Sequence, residues 1–201
     1  MGDYLKRYIQ ENCKVIKIIS VCFIIGLVVG VIVYSFIDSG IKNEFIKSLK
    51  STLDLSKNSN FEHINIIKNG IIANGILLSI MYFCSVTLFA PILICTTTFF
   101  KGFSMGIYIP VVFSVFGFSN GILVLFLLII IPNILYVPTF IFSATNAIKF
   151  HYTLFENKES GVFFSCLREL IYIGISTSVI ILSIVVEQLL TTTVINLYSA
   201  L

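Results

Sequence analysis

Charge is scarce in this 201-residue chain: Asp, Glu, Lys and Arg together make up 11% of it. A soluble domain averages about 25% charged and roughly 45–50% apolar residues. Here 57% of the residues are hydrophobic and the mean hydropathy is +1.02. A chain so short of charge cannot clothe a water-exposed surface, so lipid must be the solvent for much of it. The shortage is also segregated. From Gly70 to Ile148 the only charged side chain is Lys101. A lysine at the bilayer centre costs roughly 2.5–3.5 kcal/mol on insertion scales, and the exclusion of charge from so long a tract marks it as membrane. The length fits one domain.

Residues that carry chemistry are equally sparse. There are two histidines, His63 and His151, and neither belongs to a His-Glu-x-x-His or other metal spacing. A lone histidine of this kind reads as a polar interfacial residue. No Gly-x-Ser-x-Gly and no phosphate-binding glycine loop occurs. Five cysteines, Cys13, Cys22, Cys84, Cys95 and Cys166, form no Cys-x-x-Cys pair, and none falls in the polar stretch 38–69. They read as packing thiols, not as a disulfide framework. A formal charge of +3 is too small and dispersed for nucleic acid. The apolar segments hold no aspartate or histidine, which leaves no material for an intramembrane protease. The lone acid Glu187 is expected to reach the exterior interface. The expectation is a chain with no catalytic residue, no metal site and no cofactor.

What is present is helix-forming apolar sequence. A crossing helix needs about 20 mostly apolar residues, and five segments qualify: 18–37, 71–93, 102–116, 122–148 and 170–190. The reading is one all-α integral membrane domain, a polytopic bundle of about five transmembrane helices with an exterior amphipathic helical loop at 38–69. The polar run Thr96-Thr97-Thr98 followed by Lys101-Gly102 reads as a turn or break between the second and third spans. Gly117-Phe-Ser-Asn-Gly121 reads as the next turn. Lysine and arginine mark the cytoplasmic side. Lys6, Arg7, Lys14, Lys17, Lys101, Lys149, Lys158 and Arg168 fall there with the N-terminus inside, against Lys42, Lys47, Lys50, Lys57 and Lys68 outside. That puts the protein in the cell membrane with a cytoplasmic N-terminus and an exterior C-terminus. It also lets Lys101 snorkel at an interface. The first span reads as a retained helix, because no small-x-small cleavage site follows it.

Within 38–69, Ile41, Phe45, Leu49 and Leu53, with Ile46, recur at helical spacing and lysines occupy the other face. Such a helix lies on the membrane surface or docks on the bundle, and these four residues are the candidate partner-binding face. Ser59-Asn-Phe-Glu62 reads as a capping box opening the next helix. Gly26 and Gly30, and Gly102 and Gly106, each stand one turn apart, a spacing that allows close helix approach. The bundle interior is the expected partner of these glycines, a homo-oligomer seam the alternative. Pro132 and Pro138 bend the long fourth span, where neighbours must satisfy the freed carbonyls, and Asn133 between them is expected to hydrogen-bond within the bundle packing. Ser176, Thr177, Ser178 and Ser183 of the fifth span have hydroxyls for bonds across helices or back to the preceding turn.

Two stretches are the most specific, Phe99-Phe-Lys-Gly-Phe-Ser-Met-Gly-Ile107 and Ile131-Pro-Asn-Ile-Leu-Tyr-Val-Pro-Thr-Phe-Ile-Phe-Ser-Ala144. With the five-span layout, the short basic N-terminus and the polar loop after the first span, the chain resembles the stage II sporulation protein M family of endospore-forming bacteria. The resemblance covers nearly the whole chain. It implies a non-catalytic anchor of a septal peptidoglycan-degrading complex that acts while the mother cell engulfs the forespore. It also implies two partners besides membrane lipids: the cell-wall hydrolases stage II sporulation proteins P and D. Broader relatives outside sporulation carry an intramembrane histidine and glutamate in the kinked span. Here Asn133, Ile134 and Tyr136 stand in that stretch, so a polar-dyad function is not carried over. A permease or transporter subunit is the runner-up, with the proline-broken helix in its favour and the absence of buried charge against it.

Overall fold

The computed structural model describes residues 2–58, 60–156 and 162–199; side chains are described from residue 7 on, except those of 52–67, 156, 162–166, 169, 188 and 191–199. Among these residues all regular structure is helical. The order is α1 (Gly2–Glu11), α2 (Cys13–Phe36), α3 (Ser39–Asn58), α4 (Asn60–Ser85), α5 (Ala90–Leu125), a π-helical turn (Phe126–Ile130), α6 (Ile131–Glu156) and α7 (Val162–Ser199). Three stretches of the described residues are long and apolar enough to cross a membrane: Cys13–Phe36, Ala90–Phe155 and Leu170–Glu187. Their outward faces stay apolar. On α2, Ile18, Val21, Ile24, Ile25, Val28 and Ile32 are all exposed, the arrangement expected of a helix that meets lipid tails on its outside.

The 66-residue tract from Ala90 to Phe155 is not one rod. Gly117 breaks α5 with φ 73° and ψ 179°, a region of backbone space essentially reserved for glycine. In a straight helix residues 113 and 121 would stand about 12 Å apart along the axis. Instead a Cβ placed on Gly121 would meet Phe113 Cδ1 at 2.8 Å. The chain therefore folds back at Gly117. Val111, Val112 and Phe116 pack with Val124, Leu128 and Ile129 across the bend, and the rings of Phe113 and Phe118 stack with centroids 5.8 Å apart. The glycine-rich turn expected at 117–121 lies here.

The boundary before it differs from expectation. The segment 71–93 is interrupted: α4 ends at Ser85 and α5 begins at Ala90. Pro91 sits in the first turn of α5, where its missing N–H has no intrahelical partner to lose. The Thr96–Gly102 run, expected to break the chain, is continuous helix. Each threonine hydroxyl donates back to its own helix, Thr96 to the Ile92 carbonyl, Thr97 and Thr98 to that of Ile94, all at 2.8 Å. Polar side chains that bond to the preceding turn do not end a helix. The polar stretch 38–69 is likewise helical, as α3 and the first part of α4. Ser59, which opens the expected capping box, lies outside the described residues.

The most extensive helix contact is α2 against α5, followed by α6 against α7. Glycine makes the first of these possible. A Cβ on Gly26 or Gly30 would run into the backbone of Phe99 or Phe103, and one on Gly102 or Gly106 into the backbone of Phe23 or Leu27. The four glycines therefore form one seam inside the chain, and Cys22 and Cys95 lie beside it. The cysteines whose side chains are described, Cys13, Cys22, Cys84 and Cys95, are free thiols. Two apolar clusters fill the bundle. One gathers Ile19, Met81, Ile94, Phe140 and Ile180; the other gathers Tyr34, Val112, Leu128 and the α3 residue Leu49.

Candidate functional site

Between those clusters lies a polar cavity of about 240 Å³. Asn74 of α4, Lys101, Ser104 and Tyr108 of α5, Pro132, Asn133 and Tyr136 of α6, and Ser183 and Glu187 of α7 line it. At about 1.5 Å per residue, Lys101 lies roughly 16 Å along α5 from Ala90 and roughly 22 Å short of Phe116. In a hydrocarbon core about 30 Å thick, that places Lys101 well inside the bundle. The expectation that it snorkels at an interface is corrected.

Two groups hold the ammonium there. Lys101 Nζ donates to Asn74 Oδ1 at 3.0 Å, and it sits 4.3 Å from the centre of the Tyr136 ring, within the range of a cation–π contact. Tyr136 is fixed in turn by stacking on Phe140, with centroids 5.8 Å apart. Glu187 acts electrostatically on Lys101 across the same cavity. Glu187 itself is an exposed residue at the rim of the Lys101 cavity, at the end of the apolar stretch Leu170–Glu187. Two charges of opposite sign facing one cavity solve the problem that either alone would pose in lipid.

The α6 wall follows from its sequence. Pro132 cannot donate to the carbonyl four residues back, and its ring crowds that carbonyl. The chain widens into a π turn just before it, at Phe126–Ile130, a distortion often found at functional sites. Asn133 Nδ2 donates to the Ile129 carbonyl at 2.7 Å, and Ser183 Oγ reaches across from α7 to the Pro132 carbonyl at 2.8 Å. The Tyr136 hydroxyl, by contrast, is buried and has no hydrogen-bond partner among the described residues. Among the described α7 serines and threonines, Thr177 and Ser178 bond back to their own helix, and only Ser183 makes a bond across helices.

The remaining sequence candidates lie elsewhere. Pro138 stands inside α6 on its exposed side. Of the α3 face, Leu49 is buried, with Ile46 packed beside it against the second apolar cluster; as a partner-binding residue it is corrected. Ile41 and Phe45 remain exposed, and the Leu53 side chain lies outside the described ones. Phe45, Ser48 and Leu49 border a second, more apolar pocket that shares Ser104 and Tyr108 with the charged cavity, so α3 flanks the cavity mouth. His151, expected at a polar surface, is buried against the rings of Tyr152 and Phe155. No group of three or more metal-ligating side chains occurs among the described residues.

An all-α membrane bundle with glycine-seamed helices and a charge-bearing interior cavity is the class these features define. The family model for stage II sporulation protein M matches residues 19–192. The chain belongs to that family and is accordingly a sporulation-related membrane protein. No curated protein and no solved structure matches it.

Proposed function

We propose that this protein is a non-catalytic membrane scaffold that recruits a cell-wall hydrolase to the sporulation septum during engulfment of the forespore. Family membership over residues 19–192 is the observation that carries the reading. The form of α3 supports it: Leu49 anchors the helix to the bundle while Ile41, Phe45, Lys47 and Lys50 stay exposed. A helix tied down through Leu49, with Ile41 and Phe45 exposed farther along the same face and Lys47 and Lys50 on the other, is a preorganised docking face. In this reading α2, α4, the two arms on either side of Gly117, and α7 make five crossings. The N-terminus is cytoplasmic, and α3 faces the exterior, where stage II sporulation proteins P and D work on peptidoglycan. The experiment is site-specific photocrosslinking from positions 41 and 45 in sporulating cells. Capture of stage II sporulation protein P is expected from both positions.

One observation favours a second reading, a permease or transporter subunit. The cavity joins Lys101 and Glu187 next to a proline-bent helix, and irregular backbone at membrane depth is characteristic of helices that line a transport cavity. The absence of buried charge therefore no longer counts against this alternative.

A further inference from the structure

The charged cavity is more than the scaffold reading needs, because a docking face on α3 requires nothing of Lys101 or Glu187. We propose that the cavity binds a zwitterionic group, a primary ammonium beside a phosphate, of the kind presented by ethanolamine phosphate. Three observations lead there.

The first is the way Lys101 is held. Its ammonium has three donors. One is given to Asn74 Oδ1, and the flank of the group rests on the Tyr136 ring. Both contacts fix the ammonium in position and leave donors for an anion in the cavity that Lys101 lines. The second is the Tyr136 hydroxyl, which is buried without a hydrogen-bond partner among the described residues while its side chain lines the same cavity. Buried hydroxyls are rarely left so, and a ligand oxygen would satisfy it. The third is Glu187 at the rim, charge-coupled to Lys101. A simple anion entering the cavity would meet this carboxylate, and a simple cation would meet Lys101. A group carrying both signs satisfies both walls, its phosphate toward Lys101 and Tyr136 and its ammonium toward Glu187. The volume, about 240 Å³, is room for about eight waters at roughly 30 Å³ each, enough for such a group with some of its hydration. Ser104 is exposed where α3 flanks the opening and Glu187 is exposed at the cavity rim, so the site is reachable without unfolding the bundle.

The group could come from a lipid headgroup or from a soluble compound, and the test separates these sources. Full-length protein is reconstituted in nanodiscs containing equal parts phosphatidylethanolamine, phosphatidylcholine and phosphatidylglycerol. Lipid retention is then read by native mass spectrometry after transfer to detergent. In parallel, soluble ethanolamine phosphate is titrated against the thermal midpoint of the detergent-purified protein. The expected result is retention of phosphatidylethanolamine at least fivefold over both other lipids. That preference should be lost in Lys101→Met and in Glu187→Gln and reduced in Tyr136→Phe. A soluble source would appear instead as a midpoint raised by ethanolamine phosphate in the wild type and unmoved in Glu187→Gln, with no lipid preference. If Lys101→Met does not fold, Glu187→Gln at the exposed rim carries the comparison, and Lys101→Arg should retain binding. Equal retention of phosphatidylglycerol and phosphatidylethanolamine, with no midpoint response to ethanolamine phosphate, overturns the proposal. So does wild-type binding in Glu187→Gln, and so does the absence of any response to either probe.

Discussion

Gly30 and Gly106 face each other so closely that a Cβ built on either would stand 3.1 Å from the Cα of the other. This contact, with Gly26 and Gly102 on the same seam, brings the backbones of α2 and α5 together. Such close packing is the main source of helix association in lipid, where no hydrophobic driving force operates between helices.

The seam gives the first prediction. Gly106→Ala places a methyl against the Leu27 backbone, which cannot swing away as a side chain can, and overpacking of this kind costs about 1–3 kcal/mol. Gly106→Leu should fail to yield folded protein at all. Gly75→Ala and Gly174→Ala are the controls, since a Cβ at either position meets nothing within 4 Å. Thermal unfolding in detergent should rank the variants in that order.

Gly117 should be intolerant for a different reason. A Cβ there also finds open space within 4 Å, yet φ is +73°. Gly117→Ala should lower stability by about 1–3 kcal/mol through backbone strain alone. The measurement is the same unfolding assay, with Gly174→Ala as the reference for added bulk without strain.

The α6 wall gives a third prediction. Ser183→Ala removes the hydrogen bond from α7 to the Pro132 carbonyl, and bonds between membrane helices average about 0.6 kcal/mol. Asn133→Ala removes only a bond within its own helical segment. Both variants should fold and insert, with small losses in thermal midpoint. A collapse of either would mean that the π turn depends on these side chains and not on packing against its neighbours.

The parts of the fold that could be read in the sequence are those written in local composition. The uncharged run of α2, the Gly117 turn and the helical spacing within α3 each follow from neighbouring residues. The boundaries around Pro91 were obscured by two local signals with two meanings. Three threonines read as a break but bond back to Ile92 and Ile94, while Pro91 marks the beginning of a helix, not the approach to an end. The cavity was hidden for another reason. Lys101 is held by Asn74 and Tyr136 and faces Glu187, residues scattered over three other helices, and no local window contains them together. The remaining signal was that Asn74, Asn133 and Glu187 are polar residues inside otherwise apolar segments.

Orientation is open to a direct check. Ser51 is exposed on α3, and Cys166 lies at the start of α7. In wall-permeable intact cells, Ser51→Cys should react with a membrane-impermeant maleimide while native Cys166 should not. Labelling of Cys166 alone would invert the topology.

The central claim is that α3 recruits the hydrolase while the rest of the bundle holds α3 in place. The decisive measurement is septal localisation of fluorescently tagged stage II sporulation protein P in cells carrying Ile41→Asp with Phe45→Asp, normalised to membrane levels of the variant. Both positions are exposed, so the bundle should insert and fold normally. The account predicts that septal recruitment falls to background in this double variant and persists in Lys101→Met. Full recruitment by the α3 variant, or its loss in Lys101→Met at normal protein levels, would contradict it.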